Sequence, residues 1–357
     1  VTVSGFVLAF LTAASTPQTS RTTDAARTSA ASREDAPLAT RPPRAKDGLC
    51  GELPAKRLSW TARQGPLHLA GTVVVGPGAT LVVQAGTEIR IAAFDSCPDP
   101  LAPADERGIA LVVRGGVLRI EGTADKPVVF RPEAGSGGYA WNGIRVELAP
   151  RDEAATLRWT EIVRASKGVA FVASAGRLDH VVIEDCGIGV AALNGASPTV
   201  SHSVIHRSAI SDIVSSRSAI RVASTLFLDG AGDGIRFDGV GLAEIRNSAF
   251  WGHRGTAIVR GPSGLGAWKG DSAPDRFGNW RTDPVLNGSE SHAIRLRRAQ
   301  DSLAGLPWYR PRRLPDPPAG HGRWTLSPFS PLVDRGASRR CSDPDGSPCD
   351  IGLWGGR

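Results

Sequence analysis

Between Ala155 and Gly264 the chain writes one short hydrophobic pattern five times, in the segments LRWTEIVRA, LDHVVIEDC, VSHSVIHRS, VASTLFLDG and IRNSAFWGH. Aligned, they give two apolar columns: Leu157, Leu178, Val200, Val222 and Ile245, then Ile162, Ile183, Ile205, Phe227 and Phe250. Neighbours in the second column lie 21, 22, 22 and 23 residues apart, and a fixed period in the twenties marks a solenoid. The i, i+3, i+4, i+7 spacing of an amphipathic helix is not sustained. Short β-branched runs alternate instead with Gly, Ser, Asp and Asn, and Gly168-Val169, Gly189-Val190 and Gly234-Ile235 close several repeats. The pattern predicts an all-β fold: coils of three short strands stacked as a right-handed parallel β-helix, with like residue above like.

Three further columns follow from the same alignment. Arg164, Asp185, Arg207 and Asp229 alternate in charge, which predicts a ladder of exposed pairs worth about 0.2–1 kcal/mol each. One position on, Ala165, Cys186, Ser208 and Gly230 are all small, as an inward corner requires, so Cys186 reads as a packed thiol. Trp159, His180, His202, Ser224 and Asn247 form a mostly polar column at a bend, suited to hydrogen bonding along the stack.

Upstream, GPLHLAGTVVVGPGATLVVQAGTEIRI alternates apolar and polar residues in three runs, at 70–75, 79–84 and 87–91, separated by Gly-Pro-Gly and Ala-Gly. Together with GGVLRIEGTADKPVVFRP at 115–132 and WNGIRV at 141–146, this stretch resembles the opening coils of secreted bacterial right-handed β-helix proteins of the pectin-lyase-like superfamily. The resemblance runs from about Leu58 to Gly264 and speaks to architecture rather than to activity. It implies that any enzyme here would attack a polysaccharide along the flank of the helix, as a lyase or a glycoside hydrolase.

The ends differ in composition. Residues 1–15 carry a short apolar run and read as a signal peptide; residues 16–47, rich in Thr, Ser, Ala, Arg and Pro, read as a disordered tether. The chain starts with Val and contains no Met, so the true start is expected at a non-standard codon or further upstream. The β-helix is expected over 48–264, followed over 265–357 by an irregular Trp/Arg/Pro-rich segment and a C-terminal cap that plugs the open end of the stack. No stretch is apolar enough for a transmembrane span. Five cysteines agree with export; Cys341 and Cys349 flank a turn and are expected to pair, and Cys50 and Cys97 are paired by elimination.

Candidate chemistry is sparse. The net charge of +7 permits an anionic partner without specifying one. The zinc-protease, nucleophile-elbow, phosphate-loop and paired Cys-x-x-Cys motifs are missing. In the irregular segment Trp308, Tyr309, Arg310, Arg312 and Arg313 either grip sugars or an acidic polymer or simply pack over the last coils. Asp343, Asp345 and Asp350 place hard oxygen ligands at the spacing of a Ca²⁺ loop, in a sequence that is also a good turn. Asp229, Asp233 and Asp238, with Glu184, Asp185, His202 and His206 on neighbouring coils, are the carboxylates that a glycan-cleaving site would need. The expectation is a monomeric, exported module that binds polysaccharide or a cell-envelope component, or serves as a spacer, without nucleic acid and without a resident cofactor beyond Ca²⁺. The alternative is a lyase or hydrolase acting on an acidic glycan.

Overall fold

The computed structural model describes residues 48–104, 107–148, 154–239, 241, 243–261, 274–287, 289–303, 320–336 and 347–353. Their strands join in one parallel β-solenoid with three faces. The first face runs from Arg57–Trp60 through Thr80–Gln84 and Val117–Glu121 to Ala243–Arg246. The second ends at Ala249–Trp251 and the third at Ile258–Arg260. The third face has nine rungs among the described residues, from Leu49–Glu52 upward.

Register is set by the two apolar columns. Leu157 lies opposite Leu178, Leu178 opposite Val200, and so on to Ile245; Ile162 leads in the same way through Ile183, Ile205 and Phe227 to Phe250. A slip by one residue would turn every one of these side chains outward. They fill the interior with Phe130, Phe171, Phe227 and Phe250 fully buried, the last two stacked at 4.6 Å between ring centroids.

Single residues with positive φ turn the corners. The first corner uses Trp159, His180, His202, Ser224 and Asn247 (φ 45–56°), the second Arg164, Asp185, Arg207 and Asp229 (φ 54–57°), the third Ala173, Asn194 and Arg217 (φ 48–55°). A left-handed residue costs roughly 1–2 kcal/mol when it carries an ordinary side chain, less for Asn or Asp. A one-residue corner offsets that cost by leaving both flanking strands free to pair with the coils above and below. Two of the polar columns in the sequence are therefore corner columns first.

The coils between Ile91 and Ala155 are longer, because Ile120 meets Leu157 across the ladder. Their insertions sit at corners and do not disturb the strands. Cys50 pairs with Cys97 at a Cα separation of 6.2 Å and ties down the first insertion, against Gly71, where a Cβ would lie 2.9 Å from the Cys97 sulfur. Trp141 closes the second: it is buried, stacks on Phe130 at 5.9 Å and donates from Nε1 to the Val163 carbonyl at 3.1 Å. Cys186 is buried, and burial pushes its thiol up to about 12, so it is unreactive at neutral pH. Cys349 is disulfide-bonded; Cys341, its expected partner, lies outside the described residues, as do the expected signal peptide and tether.

Two features of the C-terminal part depart from expectation. Glu290–Leu303 is an α-helix, formed where Ala, Leu, Arg and Gln predominate and the strand-like alternation stops. The terminal segment does not simply plug the end of the stack. Trp324, Leu332, Ile351 and Leu353 pack sideways on the outer side of the second face, against Trp159, Val182, Val204, Leu226 and Leu228. The reason is composition: this face is apolar outside as well as inside and needs cover. At the end of the same face, the ladder is continued by Trp280, which bridges to Ala249.

Candidate functional site

Of the carboxylates singled out in the sequence, Glu184, Asp185 and Asp229 meet around His206 and Arg207. Glu184, at the second-face end of the strand Gly176–Glu184, which runs across the first and second faces, is buried. Its Oε1 lies 3.1 Å from His206 Nδ1 and accepts from Arg207 at 2.9 Å, while Oε2 accepts from Arg323 of the C-terminal segment. His206 Nε2 lies 3.3 Å from Asp229, and Trp324 meets the His206 ring edge-on at 4.9 Å. Arg207 also donates to both oxygens of Asp185 at 2.6 and 2.7 Å. Arg164, at the same corner, donates to the carbonyls of Ser136 and Gly138. The second corner therefore carries one bidentate pair, with Arg164 and Asp229 turned to other partners.

Electrostatics ties Glu184 to stability. Burial pushes its carboxyl up, but the hydrogen bond from His206 and the charges of Arg323 and Arg207 outweigh this and hold it below the usual range. A lowered folded value contributes stability that is present above the unfolded pKa, about 4.3, and lost as pH falls through the folded one. Glu184→Gln should therefore lower the urea midpoint at neutral pH and converge on the unmodified protein as pH falls below about 4. A constant gap across that range would detach this carboxylate from the acid limb.

Asp233 and Asp238 stand at opposite ends of the third-face strand Asp233–Asp238. Asp233 Oδ1 accepts from the Thr256 backbone at 2.9 Å, and Asp238 lies 4.0 Å from Arg236. Asp350 Oδ1 accepts from the Asp334 backbone at 2.8 Å; Asp343 and Asp345 lie outside the described residues, as do Trp308, Tyr309, Arg310, Arg312 and Arg313. Of the described tryptophans, Trp60, Trp141, Trp159 and Trp324 are buried, Trp280 is half-buried and Trp251 is exposed, so they form no row of exposed rings along one face.

The first face supplies an array that the sequence pattern did not reveal. Arg119 lies opposite Thr156, Thr156 opposite Arg177, Arg177 opposite Thr199 and Thr199 opposite Arg221. One column therefore carries arginine on alternate rungs, about 9.6 Å apart by the strand spacing. Arg158 and Arg246 stand two positions on along their own strands. Side-chain exposure is 57% for Arg158, 69% for Arg221 and 55% for Arg246. Neighbours meet part of this charge: Asp179 lies 3.8 Å from Arg158, Glu244 reaches Arg246 at 2.6 Å and Arg221 at 3.7 Å, and Arg119 donates to Thr156 at 3.2 Å. The signal in the sequence was a basic residue beside the first apolar column, and the long coil between Ile120 and Leu157 hid its continuation to Arg119.

Compared with family models, with curated proteins and with solved structures, the chain finds no match in any of the three.

Proposed function

We propose that the protein is a non-catalytic β-solenoid module that holds an extended acidic glycan along its first face. One observation carries this reading: Arg119, Arg177 and Arg221 stand in one column on alternate rungs, flanked by exposed Arg158 and Arg246. A flat sheet fixes guanidinium groups at a constant interval, and an extended polyuronate repeats its carboxylates at a constant interval as well. Arginine suits the task because its planar fork takes a carboxylate on two parallel hydrogen bonds. The net charge of +7 favours such a partner at long range.

The catalytic alternative has less support. Glu184 is engaged by His206, Arg207 and Arg323 and lies under the C-terminal segment, whereas a general acid needs access to the glycosidic oxygen. Export, and the resemblance to secreted β-helix proteins, belong to this proposal. The Cys50–Cys97 disulfide favours an oxidising compartment, and no helix among the described residues is long and apolar enough to cross a membrane.

The test is binding of the full chain to polyuronate, to a neutral glycan and to duplex DNA, by calorimetry at two salt concentrations. Each arginine contact is worth roughly 0.2–1 kcal/mol, so Arg119→Gln, Arg177→Gln and Arg221→Gln together should weaken polyuronate binding about 3–140-fold. They should also flatten its salt dependence. Equal affinity for the neutral glycan, preference for DNA, or release of unsaturated or reducing ends would overturn the reading.

A further inference from the structure

The first corner gathers a different set of groups. Asp179 ends the first-face half of its strand, His180 turns the corner beside it, and His202 turns the same corner one coil higher. Asp179 Oδ1 lies 3.3 Å from His180 Nδ1 and 3.1 Å from His202 Nδ1, and it also accepts from Ser201 Oγ at 2.8 Å. A carboxylate oxygen has two lone pairs, and here three groups converge on a single oxygen, Oδ1. Arg158 Nε lies 3.8 Å from Oδ2.

We infer that Asp179, His180 and His202 form a binding site for one divalent first-row transition metal, zinc foremost. A zinc ion takes histidine nitrogen at about 2.0–2.1 Å and carboxylate oxygen at about 2.0–2.2 Å, and tetrahedral geometry then sets neighbouring ligand atoms about 3.3–3.5 Å apart. The distances of 3.1 and 3.3 Å from Asp179 Oδ1 to the two imidazole nitrogens need to open by only a few tenths of an ångström. All three ligand atoms lie within 4.8 Å of one another. Ser201 keeps its hydrogen bond to the carboxylate and orients it, the part an outer hydrogen-bonding group plays at metal centres.

The fold holds the ligands in place. His180 and His202 are left-handed corner residues, fixed by the ladders on either side. Trp159 stacks on His180 at 4.3 Å and His180 on His202 at 5.1 Å, which limits rotation of both rings. Access remains through His202, whose side chain is 20% exposed. In the corner column the histidines are confined to two adjacent coils, with Trp159 before them and Ser224 and Asn247 after, so the column supplies one site and no more. Two imidazoles and one carboxylate select zinc, cobalt, nickel or copper over Ca²⁺ and Mg²⁺, which prefer all-oxygen sets. Three protein ligands leave the fourth position to water or an anionic group. The site adjoins the arginine face, since Arg158 lies 3.8 Å from Asp179, but takes none of those arginines as a ligand.

The experiment uses the full chain stripped with a chelator, titrated with Zn²⁺ by calorimetry and with Co²⁺ by its visible absorption. One equivalent is expected, with tetrahedral-type Co²⁺ bands and no displacement by millimolar Ca²⁺ or Mg²⁺. His202→Asn removes one ligand while keeping a residue that tolerates the left-handed corner, as Asn247 does, and should weaken binding at least tenfold. Asp179→Asn should do the same, whereas His206→Asn should leave it unchanged. Because Trp159 lies against His180, bound Co²⁺ should also quench part of the tryptophan emission, and Trp159→Phe should remove that part. Absence of stoichiometric binding would overturn the assignment. So would one equivalent that binds equally well to His202→Asn and Asp179→Asn chains folded by circular dichroism.

Discussion

Replacing His253 with alanine is expected to cost about 3–5 kcal/mol of unfolding free energy, and a second substitution, Asp212→Gly, is expected to restore most of the loss. His253 occupies the small corner column, after Ala165, Cys186, Ser208 and Gly230, and its ring reaches back over Gly230 to a residue 41 positions earlier. Its Nε2 lies 2.5 Å from Asp212 Oδ2, with both side chains out of water. Gly230 makes the reach possible: a Cβ there would stand 2.6 Å from the imidazole. Asp212 is fully buried, and burial pushes its carboxyl up against the pull of His253. Without His253 the carboxylate must either remain ionised in the interior or take up a proton, and both are costly. The neighbouring coils show the remedy, because glycine fills the equivalent place as Gly168, Gly189 and Gly234. Asp212→Gly alone should cost less than His253→Ala, since a lone histidine can stay neutral. In the double variant, urea unfolding should show a loss well below the sum of the two single losses. Additive losses would mean that the pair carries no coupling.

This contact also shows where sequence reasoning stops. The two apolar columns were visible because interior residues repeat on every coil, so period and register could be read together from Leu157 to Ile245. The corners were visible as polar columns but not as left-handed backbone, since Arg164 and Arg207 are not residues that announce positive φ. The link from His253 to Asp212 skips a coil, and a pattern based on nearest coils cannot show it. The arginine column on the first face was interrupted by insertions that changed the period. The cover on the second face was hidden for another reason: residues 324–353 have no repeat of their own, and only the outward apolar positions of the solenoid say where they belong. Val182, Val204 and Leu226 were present in the aligned segments, and three apolar outward positions on successive rungs were the available sign that something must pack there.

That cover yields the second large effect. Leu332→Ala combined with Ile351→Ala should detach the C-terminal segment while leaving the coils wound. Both side chains are fully buried, and deleting a buried Leu or Ile typically costs about 2–5 kcal/mol each. The segment is held further by Trp324 and Leu353, buried in the same cluster, and by polar contacts such as Gly352 N–H to the Ser224 carbonyl at 3.0 Å and the Arg323–Glu184 pair. With two of the four buried anchors lost, the remaining contacts are expected to be too weak to retain it. The ladders of the solenoid do not involve either residue, so the β-sheet circular dichroism should persist. Release would bare Val182, Val204 and Leu226 in one strip, and a contiguous apolar strip promotes association. The double variant should bind a hydrophobic dye and self-associate at temperatures where the unmodified protein stays monodisperse. If it instead keeps the original thermal midpoint and binds no dye, the segment is a passive tail and the second face is stable without it. Release would also remove Arg323 from Glu184, leaving that buried carboxylate with His206 and Arg207 alone. The gap between Glu184→Gln and its parent at neutral pH should then narrow in the detached background, which joins the packing of the segment to the acid limb of stability.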